Sequence, residues 1–528
     1  MHRRFIAASA IAVVVAAALL TGSGARSSAA VVGGQRALPA GLAAAIRARL
    51  GAAARAHAYP PELGWSVAVS ADGTTALVGA SGVEAAYIFH SSDAGSWSSR
   101  KAPTATLTDK NAGDFGVAVA LSADGTTAFV GADETGGGDA PAGAIYVFHV
   151  AAEDAWVSSS APAATLTVSG AYNLGAALAL SPDGTTLVAG TPFSNSGVGG
   201  ADVFHVSSED AWVSTSTPTA SLSNAAQSAD DYFVGFSVAV AGDGTTVLVG
   251  DSFNTDDGGD AYLYHVSSED GWATSSTPTA ILSNAGSSSH FLGYSVALSG
   301  DGTVALIGDP LAGSRVGAAD VFRASAADAW ASTSTPTAVL TRAGGRKNDF
   351  GGYAVALSTD GMTAVVSAPG RSVQRGAAYV FRAPLEAAWA SSSAPAATLA
   401  NAGGRKQDFF GGGLAVSSDG RAAFLGAPFA RAQTGAVDIF HVSDASSWAS
   451  DSKPKAILTN TALDACWVPK LVGLKLRAAK SALKAARCRL GHVHRERVKH
   501  KKGRVVSQHP RPNSRLQVGG RVSVIVGR

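Results

Sequence analysis

Val67-Ala-Val-Ser-Ala-Asp72-Gly73-Thr-Thr-Ala-Leu-Val-Gly79-Ala80 is one of seven near-copies of a single stretch. Two apolar runs flanking Asp-Gly are a hairpin signal, because the pair tolerates the positive φ angles of a tight two-residue turn. The Asp-Gly pair recurs at Asp124, Asp183, Asp243, Asp301, Asp360 and Asp419, in steps of 52, 59, 60, 58, 59 and 59 residues. A second landmark keeps register with it: Trp97, Trp156, Trp212, Trp272, Trp330, Trp389 and Trp448. A fixed period above about 50 residues, built from short apolar strands, indicates radial or stacked repetition.

Each unit parses into four strands. In the fifth, Gly293–Ser299 runs into Asp301-Gly302 and returns as Val304–Gly308. A Gly-rich loop leads to an aromatic or β-branched strand (Tyr87-Ile-Phe89, Tyr146-Val-Phe148 and Tyr379-Val-Phe381 in other units). The Trp then precedes a fourth strand of the type Pro103–Leu107. Four-stranded blades around one axis leave only short, protected edges. The expected fold is mainly β: a seven-bladed β-propeller over residues 63–459 plus a small α+β domain over 465–528.

The units open on Phe115-Gly116, Leu174-Gly175, Leu292-Gly293 or Phe410-Gly411 and close their second strand on Gly79-Ala80, Ala368-Pro369 or Gly426-Ala427-Pro428. This pattern resembles the FG-GAP repeat of the integrin α-chain propeller. The resemblance implies a binding face made by the loops joining strands two to three and strand four to the next blade. It departs from the calcium-binding variety. Ca²⁺ needs six to eight oxygens, yet Ser122 and Ala120 stand two and four residues before Asp124. The Asp-Gly pairs therefore read as turns, with no metal site and no cofactor.

The loops of that face differ most between units. Asp133, Glu134, Asp139, Asp230, Asp231, Asp251, Asp256, Asp257 and Asp260 form an acidic set; Arg346, Lys347, Arg405 and Lys406 form a basic one. These are the ligand-face candidates, weighed against ordinary solvated loops. His90, His149, His205, His265 and His441 recur once per unit, with Arg323 and Arg382 at the same place in two others. Positions spread around a ring do not converge on a catalytic centre, so they read as periodic structure. Each Trp is expected to fill the outer part of its blade. No Gly-x-Ser-x-Gly, HExxH or P-loop occurs, and no catalytic residue is assigned.

The termini differ from the ring. Arg3-Arg4, an apolar run Phe5–Leu20 and Ser28-Ala29-Ala30 read as a signal peptide over residues 1–30, too short for a confident membrane span. Residues 31–62 read as a linker with a short helix at Leu42–Arg55. Residues 465–528 carry 17 Lys/Arg and one acid, a net of +16, against −14 for the rest. Val468-Pro469, Leu476–Ala486, Gly503-Arg-Val-Val-Ser-Gln508-His-Pro510 and Val518-Gly519-Gly520 make this segment similar to a PASTA domain, which implies one helix on a three-stranded sheet. Cys466 and Cys488 are the only cysteines and read as one disulfide in an exported chain. Arg495, Arg497, Lys499, Lys501, Lys502 and Arg504 are wall-binding candidates, by attraction to a polyanion; a solvated face, or docking on the acidic ring, is the bland alternative. No base-reading or stacking motif accompanies the charge, so nucleic acid is not expected.

The expected function is an exported, non-enzymatic binding or adhesion protein, secreted or cell-wall associated, with no transmembrane anchor. Its partners would be peptidoglycan or an anionic wall polymer, or another surface protein or glycan. The rival is a polysaccharide or cell-wall glycan hydrolase or lyase using the propeller axis, which would require two carboxylates at the axial mouth.

Overall fold

In a computed structural model, residues 61–528 are described except 137–141, 227–231, 254–257, 287–290, 464–465, 487, 499–501, 513 and 517–519. The expected signal peptide and the Ala-rich stretch after it lie outside the described residues, as do Asp139, Asp230, Asp231, Asp256, Asp257, Lys499 and Lys501.

The first blade has strands β1 (Val67–Val69), β2 (Thr75–Ala80), β3 (Ala85–His90) and β4 (Ala105–Leu107) in the sheet order β1-β2-β3-β4, all antiparallel. Six further four-stranded sheets repeat that order, with first strands Val119–Leu121, Leu178–Leu180, Tyr232–Val240, Ser295–Leu298, Val355–Leu357 and Leu414–Val416. The hairpin signal resolves into a specific turn. Asp72 Oδ1 accepts from the Ser70 hydroxyl at 2.7 Å and the Thr74 N–H at 3.0 Å, while Gly73 takes φ 77°. Asp124, Asp183, Asp301, Asp360 and Asp419 are held alike by a serine two residues earlier. Burial opposes ionisation of Asp72, but these donors outweigh it and hold its carboxyl below the usual range. The turn thus uses the Asp oxygens itself.

The blades form a seven-bladed propeller, and its core lies between blades rather than within them. Seven apolar clusters fill the seven seams, the seventh joining blade 1 to blade 7 through Leu77's neighbours Ala76 and Val78, Trp97, Phe424 and Ile439. First strands touch one another around the axis and line it with half-exposed Val, Ala and Leu, as in Leu178–Leu180 and Leu414–Val416.

Two backbone devices set the spacing. At six seams, the glycine ending one blade's second strand lies against the glycine of the next blade's opening. A Cβ built on Gly308 would stand 2.1 Å from the Gly352 carbonyl oxygen, and one on Gly426 would stand 1.9 Å from that of Gly64, across the ring closure. The seventh seam has Ser367 facing Gly411. At the axis, the peptide N–H preceding each Asp-Gly donates to its counterpart in the next blade: Ala71 to Ala123, Ala123 to Pro182, Gly242 to Gly300, Gly300 to Thr359, Thr359 to Ser418 and Ser418 back to Ala71, at 2.7–3.0 Å. The missing link falls at Pro182, which has no N–H to give. Among the described residues the ring closes side to side, blade 7 building its four strands from residues 414–458.

The seven Trp side chains do not fill the outer blade. Each indole Nε1–H donates to the carbonyl of its own Asp-Gly glycine, from Trp97 to Gly73 at 2.8 Å through Trp448 to Gly420 at 2.8 Å. The ring then packs on the preceding blade: Trp212 is edge-on to Phe129 at 5.0 Å, and Trp97 to Phe424 at 5.7 Å. A buried indole needs an acceptor, and the hairpin supplies one at the seam. The periodic histidines are structural, His90, His149, His205 and His265 each meeting a threonine hydroxyl of the neighbouring strand at 2.7–3.0 Å.

After the ring, Thr459 and Thr461 donate their N–H groups to Arg100 and Lys101 of blade 1 at 2.9 and 2.8 Å, and Leu463 joins the closing seam. The segment that follows blade 7 is thus fastened to blade 1 as far as Leu463. Beyond it, helix α1 (Leu476–Ala485) packs against a three-stranded sheet in which Arg521–Gly527 lies between Arg489–Glu496 (parallel) and Val505–His509 (antiparallel). Gln508 locks the Val-Pro opening, accepting from the Leu471 N–H at 2.6 Å and donating to the Pro469 carbonyl at 2.9 Å.

Gly308→Ala should lower the stability of the ring by about 2–3 kcal/mol or more, because the obstructing atom is backbone. Gly271→Ala, where the nearest atom is a serine hydroxyl at 3.5 Å, should be near neutral. Chemical denaturation of the two variants measures the contrast.

Candidate ligand face and basic tail

The mouth of the propeller opposite the Asp-Gly turns is divided by the residue that precedes each blade's opening glycine pair. In blades 1 to 3 it is Glu62, Asp114 and Asn173; in blades 4 to 7 it is Phe233, Phe291, Phe350 and Phe409. Six of the seven, all but Phe291, hold positive φ, between 57° and 82°. That conformation is costly for a side chain as bulky as Phe and tends to gather at functional sites.

On the aromatic side the rings form a continuous arc. Centroids are 5.0 Å apart for Phe236–Tyr294, 5.1 Å for Tyr294–Tyr353, 5.1 Å for Tyr353–Phe409, 5.7 Å for Phe409–Phe429 and 6.3 Å for Phe429–Trp65. Phe236, Tyr353, Phe429 and Trp65 keep part of their surface open. Phe236, Tyr294, Tyr353 and Trp65 each follow an opening glycine. The signal was therefore in the sequence, at a repeat position that charge-based reading passes over.

On the other side Glu62, Glu84, Asp114, Asp133 and Glu134 form one electrostatic group. Burial, then the charges of Glu134, Asp133, Glu62 and Glu84, push the Asp114 carboxyl well above its usual range. Burial, then Glu134, raises Asp133 to about 7, and burial raises Glu134 and Glu84 as well. Of these, charge counting in the loops finds Asp133 and Glu134; Glu62, Glu84 and Asp114 are found only from the fold. Among the described residues, no group of three or more Asp, Glu, His or Cys is arranged to hold a metal ion.

The other acidic candidates among the described residues, Asp251 and Asp260, are not displayed. Asp251 and Asp260 face each other on adjacent strands, both buried, and the Tyr262 hydroxyl donates to Asp251 Oδ2 at 2.8 Å. Asp133 is buried too. The basic candidates Arg346, Lys347, Arg405 and Lys406 are all exposed; Asp349 Oδ2 and Asp408 Oδ2 accept from the Arg346 and Arg405 N–H groups at 2.9 and 2.5 Å. The two sets occupy different blades and do not converge. In the tail, Arg495, Arg497, Lys502 and Arg504 are all exposed, Arg495 on and Arg497 just beyond the edge strand Arg489–Glu496, and Lys502 and Arg504 on either side of Gly503. Arg504 also donates to the Gly473 carbonyl at 2.8 Å. Cys488 is buried at the end of α1.

Residues 335–381 match the family model of the FG-GAP repeat, and residues 468–528 match that of the PASTA domain. Among solved structures, the chain is similar to the hydrazine synthase of Kuenenia stuttgartiensis, with 13% identity over 74% of this chain and 98% of that one and a TM-score of 0.48. No curated protein matches the chain. Among the described residues, no helix is long and apolar enough to cross a membrane.

Two seams carry buried aspartates that titrate near neutrality. Burial raises Asp320 and Asp438 to about 7, against the opposing hydrogen bonds of Asn284 and Asn401 at 2.6 Å. A folded-state value above the unfolded 3.8 means the native ring binds more protons, so stability falls as pH rises from about 4 through 7. The ring's melting temperature should be higher at pH 5.5 than at pH 8.5. Asp320→Asn and Asp438→Asn should each narrow that gap in a thermal scan.

Proposed function

We propose that this chain is an exported, non-enzymatic binding protein whose propeller mouth holds a surface ligand and whose PASTA-like tail attaches it to the cell wall. The observation that supports this most is the divided mouth: an arc of partly open aromatic rings on one side and a group of carboxylates on the other, on loops fixed by a rigid ring. Aromatic faces and hydrogen-bonding carboxylates together suit a glycan or a peptide, and loops on a stiff scaffold are where binding residues concentrate. The tail's part rests on its match to a PASTA domain and on exposed Arg495, Arg497, Lys502 and Arg504, which attract peptidoglycan carboxylates or phosphate polymers by simple electrostatics. In this reading residues 1–30 are the export signal. The tail is stapled by a Cys466–Cys488 disulfide, a reading that rests on these being the two cysteines of an exported chain. Such a closure is worth about 3 kcal/mol to a small module.

The acidic group favours one second reading, a glycan hydrolase. Carboxyls raised by burial and by each other are the sort that donate protons near neutral pH, and Asp114 and Glu134 are the pair to test.

The full chain should co-sediment with purified cell walls and be released by salt, and replacing Arg495, Arg497, Lys502 and Arg504 with Gln should weaken the pelleting on the order of tenfold. Undiminished pelleting would remove the tail from the reading. Glycan turnover that disappears in Asp114→Asn or Glu134→Gln would replace binding by hydrolysis.

A further inference from the structure

The seven seams share one outer position, where the second residue after each fourth strand meets the third strand of the next blade. The pairs are Asp109/Tyr146, Val168/Asp202, Asn224/Tyr262, Asn284/Asp320, Arg342/Tyr379, Asn401/Asp438 and Asn460/Tyr87. Where Asn meets Asp, the seam is closed by a direct hydrogen bond of 2.6 Å, at Asn284–Asp320 and again at Asn401–Asp438. Among the seven, only the seam between blades 5 and 6 places a cation there.

That seam holds a cavity lined by Arg342, Asp349, Tyr379, Thr341, Leu340 and Val366 among others. About 10 Å³ of it is open to the centre of a water molecule, room for one water-sized group and far too little for a sugar ring. The guanidinium carbons of Arg342 and Arg371 lie 5.5 and 5.7 Å from the centre of the Tyr379 ring. Tyr379 is 3% exposed; its hydroxyl oxygen lies beside the Arg371 guanidinium, and its O–H has no acceptor among the described residues. Leaving such a group unmade costs about 1–3 kcal/mol. Neither arginine is within 4.0 Å of a carboxylate among the described residues. Asp349 Oδ2 is engaged by the Arg346 N–H at 2.9 Å, so one carboxylate stands against two guanidiniums.

Arg371 is also held by strained backbone. Ser372, Val373 and Gln374, which follow it, have φ of 55°, 63° and 62°. Left-handed conformation costs roughly 1–2 kcal/mol per L-residue, and for β-branched Val it is a true outlier.

We propose that the seam between blades 5 and 6 is an oxyanion-binding pocket for a phosphate or carboxylate group carried by a larger ligand. One oxygen enters to accept from the Tyr379 hydroxyl, and the others lie between the Arg342 and Arg371 guanidiniums, whose donors fit such groups. The pocket goes beyond the reading above, since it belongs neither to the mouth nor to the tail.

The test titrates the full chain with methyl phosphate and, separately, with acetate, followed by ligand NMR line widths. Saturable binding of at least one probe is expected. Arg342→Gln with Arg371→Gln should weaken it on the order of tenfold or more, and Tyr379→Phe severalfold with an unchanged melting temperature. Should the double variant fail to fold, Arg371→Gln alone and Tyr379→Phe carry the comparison. A preference for methyl phosphate assigns a phosphate-bearing polymer as the source; a preference for acetate assigns a carboxylated one. Binding that is the same in these variants, or that disappears when only Arg495, Arg497, Lys502 and Arg504 are replaced, would overturn the proposal.

Discussion

The contact on which this structure depends is between two backbones, not two side chains. At six of seven seams a strand-ending glycine lies so close to the next blade's opening glycine that a Cβ would meet a carbonyl oxygen at about 2 Å, as with Gly250 and Gly293. This approach fixes the angle between blades, and the angle fixes their number. The same closeness lets the axial peptide bonds link from blade to blade and lets each Trp reach back over its own turn to the previous sheet. The side chains then fill what remains. Because the apolar clusters belong to seams, no blade has a core of its own, and the ring stands or falls as a unit.

Much of this was legible in the chain itself. Strand count, turn positions and blade number follow from the Asp-Gly and Trp registers, since a hairpin turn is a local property. The small terminal module was equally readable, down to Gln508, whose side chain locks its own opening. Less was legible wherever two blades meet. The Trp rings point to a seam because their acceptor, the Gly73 carbonyl and its counterparts, is apparent only once the hairpin folds back. Asp251 and Asp260 look like ligand residues on a loop but sit buried opposite each other at strand ends. Conversely Glu62 and Glu84 carry no local signal and gain meaning only when blade 1 packs against Asp114 of blade 2. Residues 459–463 carry no local signal for their place and are pinned by bonds to residues more than 350 positions earlier.

The ring carries three separate chemistries. Carboxylates gather at the mouth beside blades 1 and 2, an aromatic arc runs along it from blade 4 around to Trp65, and the guanidiniums of Arg342 and Arg371 lie at the outer seam of blades 5 and 6. A ring that repeats its scaffold seven times needs its invariant residues for spacing, so individuality is left to the mouth and the seam-edge positions. Arg342 and Tyr379 illustrate this: ordinary residues by type, distinctive only against the six equivalent pairs.

The clasp of Thr459 and Thr461 on blade 1 gives the molecule a mechanical direction. With the tail held and the ring pulled away, tension enters at Leu463, on the seam where the circle is completed. The hydrogen bonds to Arg100 and Lys101 and the packing of Leu463 bear that load before the outer strand of blade 7 does. The weakest place in any ring is its closure, and here the tether is tied across it rather than beside it.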